Sequence, residues 1–388
     1  MTSPFGDISI ETFLNEYWQK KPLLVRNAFP DFQPPIDPDD MAGLSLEEDV
    51  ESRLILEDGK DHKWELWNGP FTEETFESLP KEKWTLLVQA TDQWVPEMAD
   101  LLRHFTFLPS WRLDDIMASF AVKGGSVGPH FDQYDVFLIQ AEGQRHWQVG
   151  PQATEDSVRL DNTPLSILEN MEVTEEWTVN PGDLLYIPPK YAHNGVALDE
   201  CMTFSVGFRA PSESEVLQGF TDHMSSLLNE FTRYSDANAL SSQANPAQIT
   251  TADTQRIKDI FLKQLTDQHV NQWLAEYMTE SKYHDLHEAL EDPLEWEDIE
   301  GFISVENVLT QNETTRWAYF KDGQSTVLVV NGKTILTTRE SNEVILIEKL
   351  ANERHTPIES ILALLDNEPC RQILLNFINE NFLYFDES

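Results

Sequence analysis

Two hydrophobic periods divide this chain of 388 residues. Up to about residue 211, most apolar positions fall in short runs bounded by Gly, Pro and Asp, the mark of strands and turns. Strands are predicted over 22–26, 51–56, 63–67, 84–89, 117–122, 135–140, 145–149, 184–187 and 201–208. Turns are predicted at Asp58-Gly59, Glu142-Gly143 and Pro181-Gly182-Asp183. Helical spacing intervenes over 10–19, where Phe13, Leu14, Tyr17 and Trp18 are apolar, and over 95–105, with shorter helices starting near Met41 and Phe71. Asp114 and Asp115 read as a solvated turn, or else as groups that meet a cationic substrate side chain. Residues 151–180 read as a long excursion between strands. Strand, hairpin, long excursion, strand is the order that an eight-stranded double-sheet barrel of the cupin type requires.

Beyond 211 the period becomes helical. Val216, Leu217, Phe220, Met224, Leu227, Leu228 and Phe231 recur close to helical spacing, and further helices are predicted over 255–265 and 269–279. A stretch rich in Ser, Ala, Asn and Gln at 235–253 reads as a loop. After 303, strands over 317–320, 326–330 and 333–338 surround Asn331-Gly332, a strong hairpin signal. Helices follow over 340–351, 357–365 and 370–381. The expected domains are 1–211, mainly β with α; 212–302, helical; and 303–388, small and mixed.

The candidate chemistry lies in GGSVGPHFDQYDVFLIQAEGQRHWQVG, residues 124–150. His130 and Asp132 are two apart, so in an extended strand both point to one side. Such a pair occurs by chance in many proteins. Here glycines and a proline precede it and a strand hairpin follows. His193, in PGDLLYIPPKYAHNGV, is the best candidate for a third ligand. Two histidines and a carboxylate make the facial triad of non-haem Fe(II) oxygenases, which leaves three coordination positions open. His146 faces away from its neighbour Arg145 on a strand and reads as a packed histidine.

These motifs resemble the JmjC-type 2-oxoglutarate/Fe(II) oxygenases, within them the ribosomal-oxygenase branch, and most of all the bacterial ribosomal-protein arginine hydroxylases. EYWQKKPLLVRNAF at 16–29 is similar to the opening of that branch, and the resemblance extends over the whole chain. It implies a double-stranded β-helix (jelly-roll) barrel, a helical dimerisation region at 212–302 and a C-terminal winged-helix domain at 303–388. It implies that His130, Asp132 and His193 bind Fe(II), with 2-oxoglutarate and O2 as co-substrates. Arg145 matches the basic residue that holds the distal carboxylate of 2-oxoglutarate, where many relatives have lysine. A guanidinium suits that task by its bidentate fork. Ser119 is a candidate for a second hydrogen bond to the same carboxylate. The implied reaction is hydroxylation of an arginine of large-subunit ribosomal protein number sixteen. Rivals are a histidine hydroxylase of another ribosomal protein and a lysine demethylase, although no histone-reading module is recognisable. A metal-free cupin-like binding protein is a rival of a different class, and the complete His130, Asp132, His193 and Arg145 set speaks against it.

Composition narrows the partners. With 68 acidic and 27 basic residues the net charge is −41, which disfavours direct nucleic-acid binding and favours a basic protein partner. Solubility or habitat explains an acidic surface equally well. Residues 303–388 carry seven basic and thirteen acidic groups, net −6, the reverse of a DNA-reading winged helix. There are 21 Phe and 11 Trp, so the charge does not prevent real cores. No apolar stretch is long enough to span a membrane and no secretory signal opens the chain. Cys201 and Cys370 make neither a disulfide framework nor a zinc site. A cytoplasmic home is expected. The helical region has more apolar surface than one packed face needs, which suggests dimerisation, and the resemblance implies a homodimer.

Overall fold

Two antiparallel sheets carry the first of two compact units, Met1–Ala210, in a computed structural model. The structure describes residues 3–58, 63–161, 163–229, 231–237, 239–282 and 286–386, so the turn expected at Asp58-Gly59 reaches outside it. The strands are β1 (Leu23–Val25), β2 (Ser52–Glu57), β3 (Trp64–Asn68), β4 (Trp84–Val88), β5 (Leu113–Ala121), β6 (Val136–Glu142), β7 (Arg145–Gln152), β8 (Glu175–Val179), β9 (Leu184–Ile187), β10 (Tyr191–Ala197) and β11 (Cys201–Phe208). One sheet has the order β1-β9-β6-β11-β5-β4-β2-β3, the other β10-β7-β8. Together they form the double-stranded β-helix that the family resemblance implies, in the strand order that a cupin-type barrel requires.

β6 explains how the layers stack. Val136 to Ala141 are all buried, which is why DVFLIQ reads as a continuous apolar run rather than an alternation. Val136 and Leu138 point into the barrel and pack with Trp147, Val149 and Val179 of the smaller sheet. Phe137, Ile139 and Ala141 point the other way, into a core with Phe5, Phe13, Met98, Phe105 and Phe204. Helix Ile10–Glu16 delivers Phe13 to that outer core, with Ser9 capping it by accepting from the Thr12 N–H. It ends earlier than expected because Gln19 turns left-handed (φ 58°) and gives its backbone N–H to the Tyr186 hydroxyl, 2.7 Å away.

Two further expectations are corrected here. The helix expected over 95–105 is a short helix, Pro96–Asp100, followed by 3-10 winding over Leu101–Phe105; the same apolar face stays buried under the tighter turn. Asp114 and Asp115 lie within β5, not in a solvated turn. Distant partners let them enter the sheet: Arg209 Nε donates to Asp114 Oδ1 at 3.1 Å and Gln89 Nε2 to Asp115 Oδ2 at 2.6 Å.

The second unit, Pro211–Ser388, opens with helices Glu213–Leu227, Thr251–Gln264 and Asp267–Thr279, the first two started by capping boxes at Ser212 and Thr250. Strands β12 (Val308–Gln311), β13 (Trp317–Asp322), β14 (Ser325–Val330), β15 (Lys333–Thr338), β16 (His355–Pro357) and β17 (Leu383–Phe385) form two small sheets, β13-β14-β15 and β16-β12-β17. Asn331 and Gly332 both have positive φ, 47° and 74°, as a two-residue hairpin turn between right-twisted strands demands. Helices Ser341–Asn352 and Glu368–Asn379 pack on them. The helix expected over 357–365 is instead β16 and two 3-10 turns, Ile358–Ser360 and Leu362–Asp366, because Pro357 holds the preceding residue extended. Among the described residues no helix is long and apolar enough to cross a membrane.

Candidate metal centre

His130 reaches the site through a turn that only glycine fits. Gly128 has φ +81°, and a Cβ there would lie 2.9 Å from Ile167 Cδ1. Beyond the turn, His130 and His193 exchange backbone hydrogen bonds of 3.0 and 2.8 Å as an isolated antiparallel bridge. That bridge sets the two imidazoles side by side, with ring centres 4.3 Å apart. Asp132 follows, its carbonyl accepting from the Lys190 N–H at 2.6 Å, and its Oδ2 lies 3.6 Å from His193 Nε2. Each of the three residues offers a ligand atom within 4.8 Å of the others, and no other His/Cys/Asp/Glu cluster among the described residues does so.

Hydrogen bonds set the tautomers. His130 Nδ1 lies 2.8 Å from the Gly128 carbonyl and His193 Nδ1 2.8 Å from the Tyr191 carbonyl. A carbonyl only accepts, so each Nδ1 carries a proton, and the tautomer this selects for a neutral ring leaves the Nε2 lone pair for a metal. Burial, and then the neighbouring His130, pull the His193 pKa down to about 4. The imidazole is therefore neutral at pH 7, the form that binds metal. Two imidazoles and a carboxylate fit Fe(II).

Arg145 opens β7 on the barrel-facing side and is 3% exposed. Its Nε and Nη2 are buried without a hydrogen-bond partner. An orphaned buried guanidinium is costly, and a carboxylate ligand would relieve it. Ser119 is buried on the same lumen, but its hydroxyl donates to the Thr203 carbonyl at 3.1 Å. To donate to a ligand it must first leave Thr203. His146 faces away, beside Thr178 and Glu176.

Acidic groups gather around Tyr134. Asp115, Met117 and Ser119 alternate onto one face of β5. Asp115 is 6% exposed and is oriented by a relay in which Arg53 Nη2 donates to Gln89 Oε1 (3.0 Å) and Gln89 in turn donates to Asp115. Burial, then the charges of Asp132, Asp115 and Asp114, push the Tyr134 phenol up. Tyr134 is 42% exposed, so the three charges are the firmer cause. Sequence reasoning missed Tyr134; its place two residues past Asp132 was the available signal.

Residues 100–216 match the JmjC domain family, and residues 255–384 match the ROXA-like winged helix. The chain is 39% identical over 282 residues to the Escherichia coli K12 protein named ribosomal protein uL16 3-hydroxylase, covering 72% of this chain and 74% of that one. It is 45% identical over 215 residues to a probable ribosomal oxygenase of Haemophilus influenzae, covering 55% and 53% of the two chains. The crystal structure of E. coli ycfD matches with TM-score 0.87 and 32% identity, over 98% of this chain and 99% of that one. A structure of YcfD with cobalt and 2-oxoglutarate matches with TM-score 0.83 and 33% identity, over 98% and 99%.

Proposed function

Because the chain belongs to the JmjC-domain ribosomal oxygenases, we propose that it hydroxylates an arginine side chain of ribosomal protein uL16. In this reading His130, Asp132 and His193 hold Fe(II), and Arg145 receives the distal carboxylate of 2-oxoglutarate. Bound there, the metal would use 2-oxoglutarate and dioxygen to put one oxygen atom on a substrate carbon, with succinate and carbon dioxide as the other products. The protein's own part is geometry. Gly128 and the His130–His193 bridge hold the ligands on one side, and the Nδ1 hydrogen bonds aim both Nε2 atoms.

The observation that carries the choice of arginine is Asp115. It is a buried carboxylate on the barrel-facing side of β5, near Tyr134 and the triad carboxylate Asp132. An acidic recess suits a guanidinium, which offers five donors and always carries charge. A neutral imidazole has no such need. The test is incubation with Fe(II), 2-oxoglutarate and whole large-subunit protein, followed by tandem mass spectrometry. One added oxygen on an arginine of uL16 is expected. The same gain on a histidine of another ribosomal protein would overturn the substrate and keep the iron site. Neither oxygen gain nor 2-oxoglutarate consumption would favour a non-catalytic binding protein.

Two further proposals accompany this one. The helix Thr251–Gln264 has no buried residue, and Leu217, Phe231, Ile260, Phe261 and Leu262 are exposed, Phe231 at 91%. Apolar surface of that extent supports a homodimer through 212–302; sedimentation analysis should give twice the chain mass, and a monomer would refute it. The acidic balance of 303–388 supports a structural or protein-binding role for the winged helix rather than nucleic-acid reading. A ribosomal substrate would be met in the cytoplasm.

A further inference from the structure

Three buried N–H groups on one face of β7 have no hydrogen-bond partner: Arg145 Nε, Arg145 Nη2 and the indole Nε1 of Trp147. Residues two apart on a strand share a face, so both side chains stand in the barrel. The Arg145 guanidinium carbon lies 5.9 Å from the centre of the Trp147 ring, and the His193 ring centre lies 6.0 Å from it. The indole thus lies near both the guanidinium and the candidate metal ligand. Its seat is built for it. Gly195 pairs directly with Trp147 across the β10–β7 ladder, and a Cβ on residue 195 would stand 2.8 Å from the indole carbons.

An indole N–H can only donate, and Trp147 is 5% exposed, so water does not freely serve it. The buried side chains clustered with it, Val136, Leu138, Val149, Leu185 and Ile187 among them, are apolar. Three buried donors without partners on one strand face call for a ligand rich in acceptors. A carboxylate, with about four lone-pair sites, matches them; a single guanidinium fork leaves some of those sites unused.

We propose that Trp147 is a second anchor for the distal carboxylate of 2-oxoglutarate, its indole N–H donating to the carboxylate that Arg145 holds. This rests on the reading of Arg145 given above. The test uses the full chain loaded with cobalt and titrated calorimetrically with two probes. N-oxalylglycine carries the distal carboxylate; oxalate chelates the metal but lacks it. Two variants remove the N–H: Trp147→Phe, and replacement of Trp147 by 3-benzothienylalanine, which keeps the bicyclic shape if the smaller ring repacks. Loss of a hydrogen bond to a charged group should weaken N-oxalylglycine about tenfold in both and leave oxalate unchanged. N-oxalylglycine affinity within about twofold of wild type in the benzothienyl variant would overturn the proposal, as would equal weakening of oxalate. Arg145→Gln, run in parallel, separates the two failures. If it leaves N-oxalylglycine binding intact, the reading of Arg145 falls; if it weakens binding while the Trp147 variants do not, only the role of Trp147 falls.

Discussion

The two faces of the eight-stranded sheet are made of alternate residues on the same strands, yet buried polar side chains gather mainly on one of them. The outer face presents Phe137, Ile139, Phe204 and Tyr186, fully buried against the N-terminal helix and its neighbours. Its buried Tyr186 hydroxyl is satisfied, donating to Asp135 Oδ1 at 2.6 Å. The inner face presents Asp115, Ser119, Gln140 and Thr203, and opposite it on the smaller sheet stand Arg145 and Trp147 with unpaired donors. The inner face lacks acceptors that a ligand would bring. Buried polar groups are nearly always paired, so an unpaired set marks where something else binds.

The comparison can be broken by substitutions on either face. Asp132→Ala or His130→Ala should lower turnover on the order of a thousandfold or more, the loss of several kcal/mol of metal-derived stabilisation. The urea midpoint of the metal-free protein should stay near wild type; a large drop would mean that the ligands are structural. Phe137→Ala, one residue away from the inner face, should cost about 3–5 kcal/mol of stability in the same urea titration while leaving turnover per folded molecule near wild type. Arg145→Gln should raise the KM for 2-oxoglutarate about a hundredfold with a smaller change in kcat, as expected when one member of a buried charge pair is removed. Asp115→Asn should raise the KM for the basic protein substrate about tenfold and spare that for 2-oxoglutarate; equal changes in both would place Asp115 in the fold rather than at the substrate.

A smaller effect concerns pH. The folded His193 pKa, about 4, lies below the unfolded value of 6.5. Between these values the unfolded chain binds more protons than the folded one, so acid favours unfolding there. The metal-free protein should hold its stability above about pH 6.5 and lose it progressively as pH falls towards 4. His193→Gln should flatten that part of the curve, measured by urea denaturation at a series of pH values.

Much of this was legible in the sequence because it is local. The His130-x-Asp132 spacing, the turn glycines and the apolar run of β6 each lie within a few residues, and so does the Asn331-Gly332 hairpin. What was not legible depends on long-range register. Ser119 was a candidate donor, but its hydroxyl is committed to the Thr203 carbonyl, 84 positions along the chain. Asp114 and Asp115 looked like turn residues until Arg209 and Gln89 supplied partners. Trp147 shares the strand face of Arg145 by simple alternation, yet that its N–H is unpaired follows only from what surrounds it. Strands β12, β16 and β17 are three or four residues long, too short to show a period. Their partners identify them, not their own pattern.

The most direct measurement is an anaerobic titration of the metal-free protein with Fe(II) and then 2-oxoglutarate, followed by visible absorption. One iron per chain is predicted, with a charge-transfer band that develops on adding 2-oxoglutarate. Asp132→Ala should not form the band, and Arg145→Gln should need far more 2-oxoglutarate to do so. A wild-type protein that binds no iron, or an Asp132→Ala variant that develops the same band at the same concentrations, would contradict the assignment of the inner face.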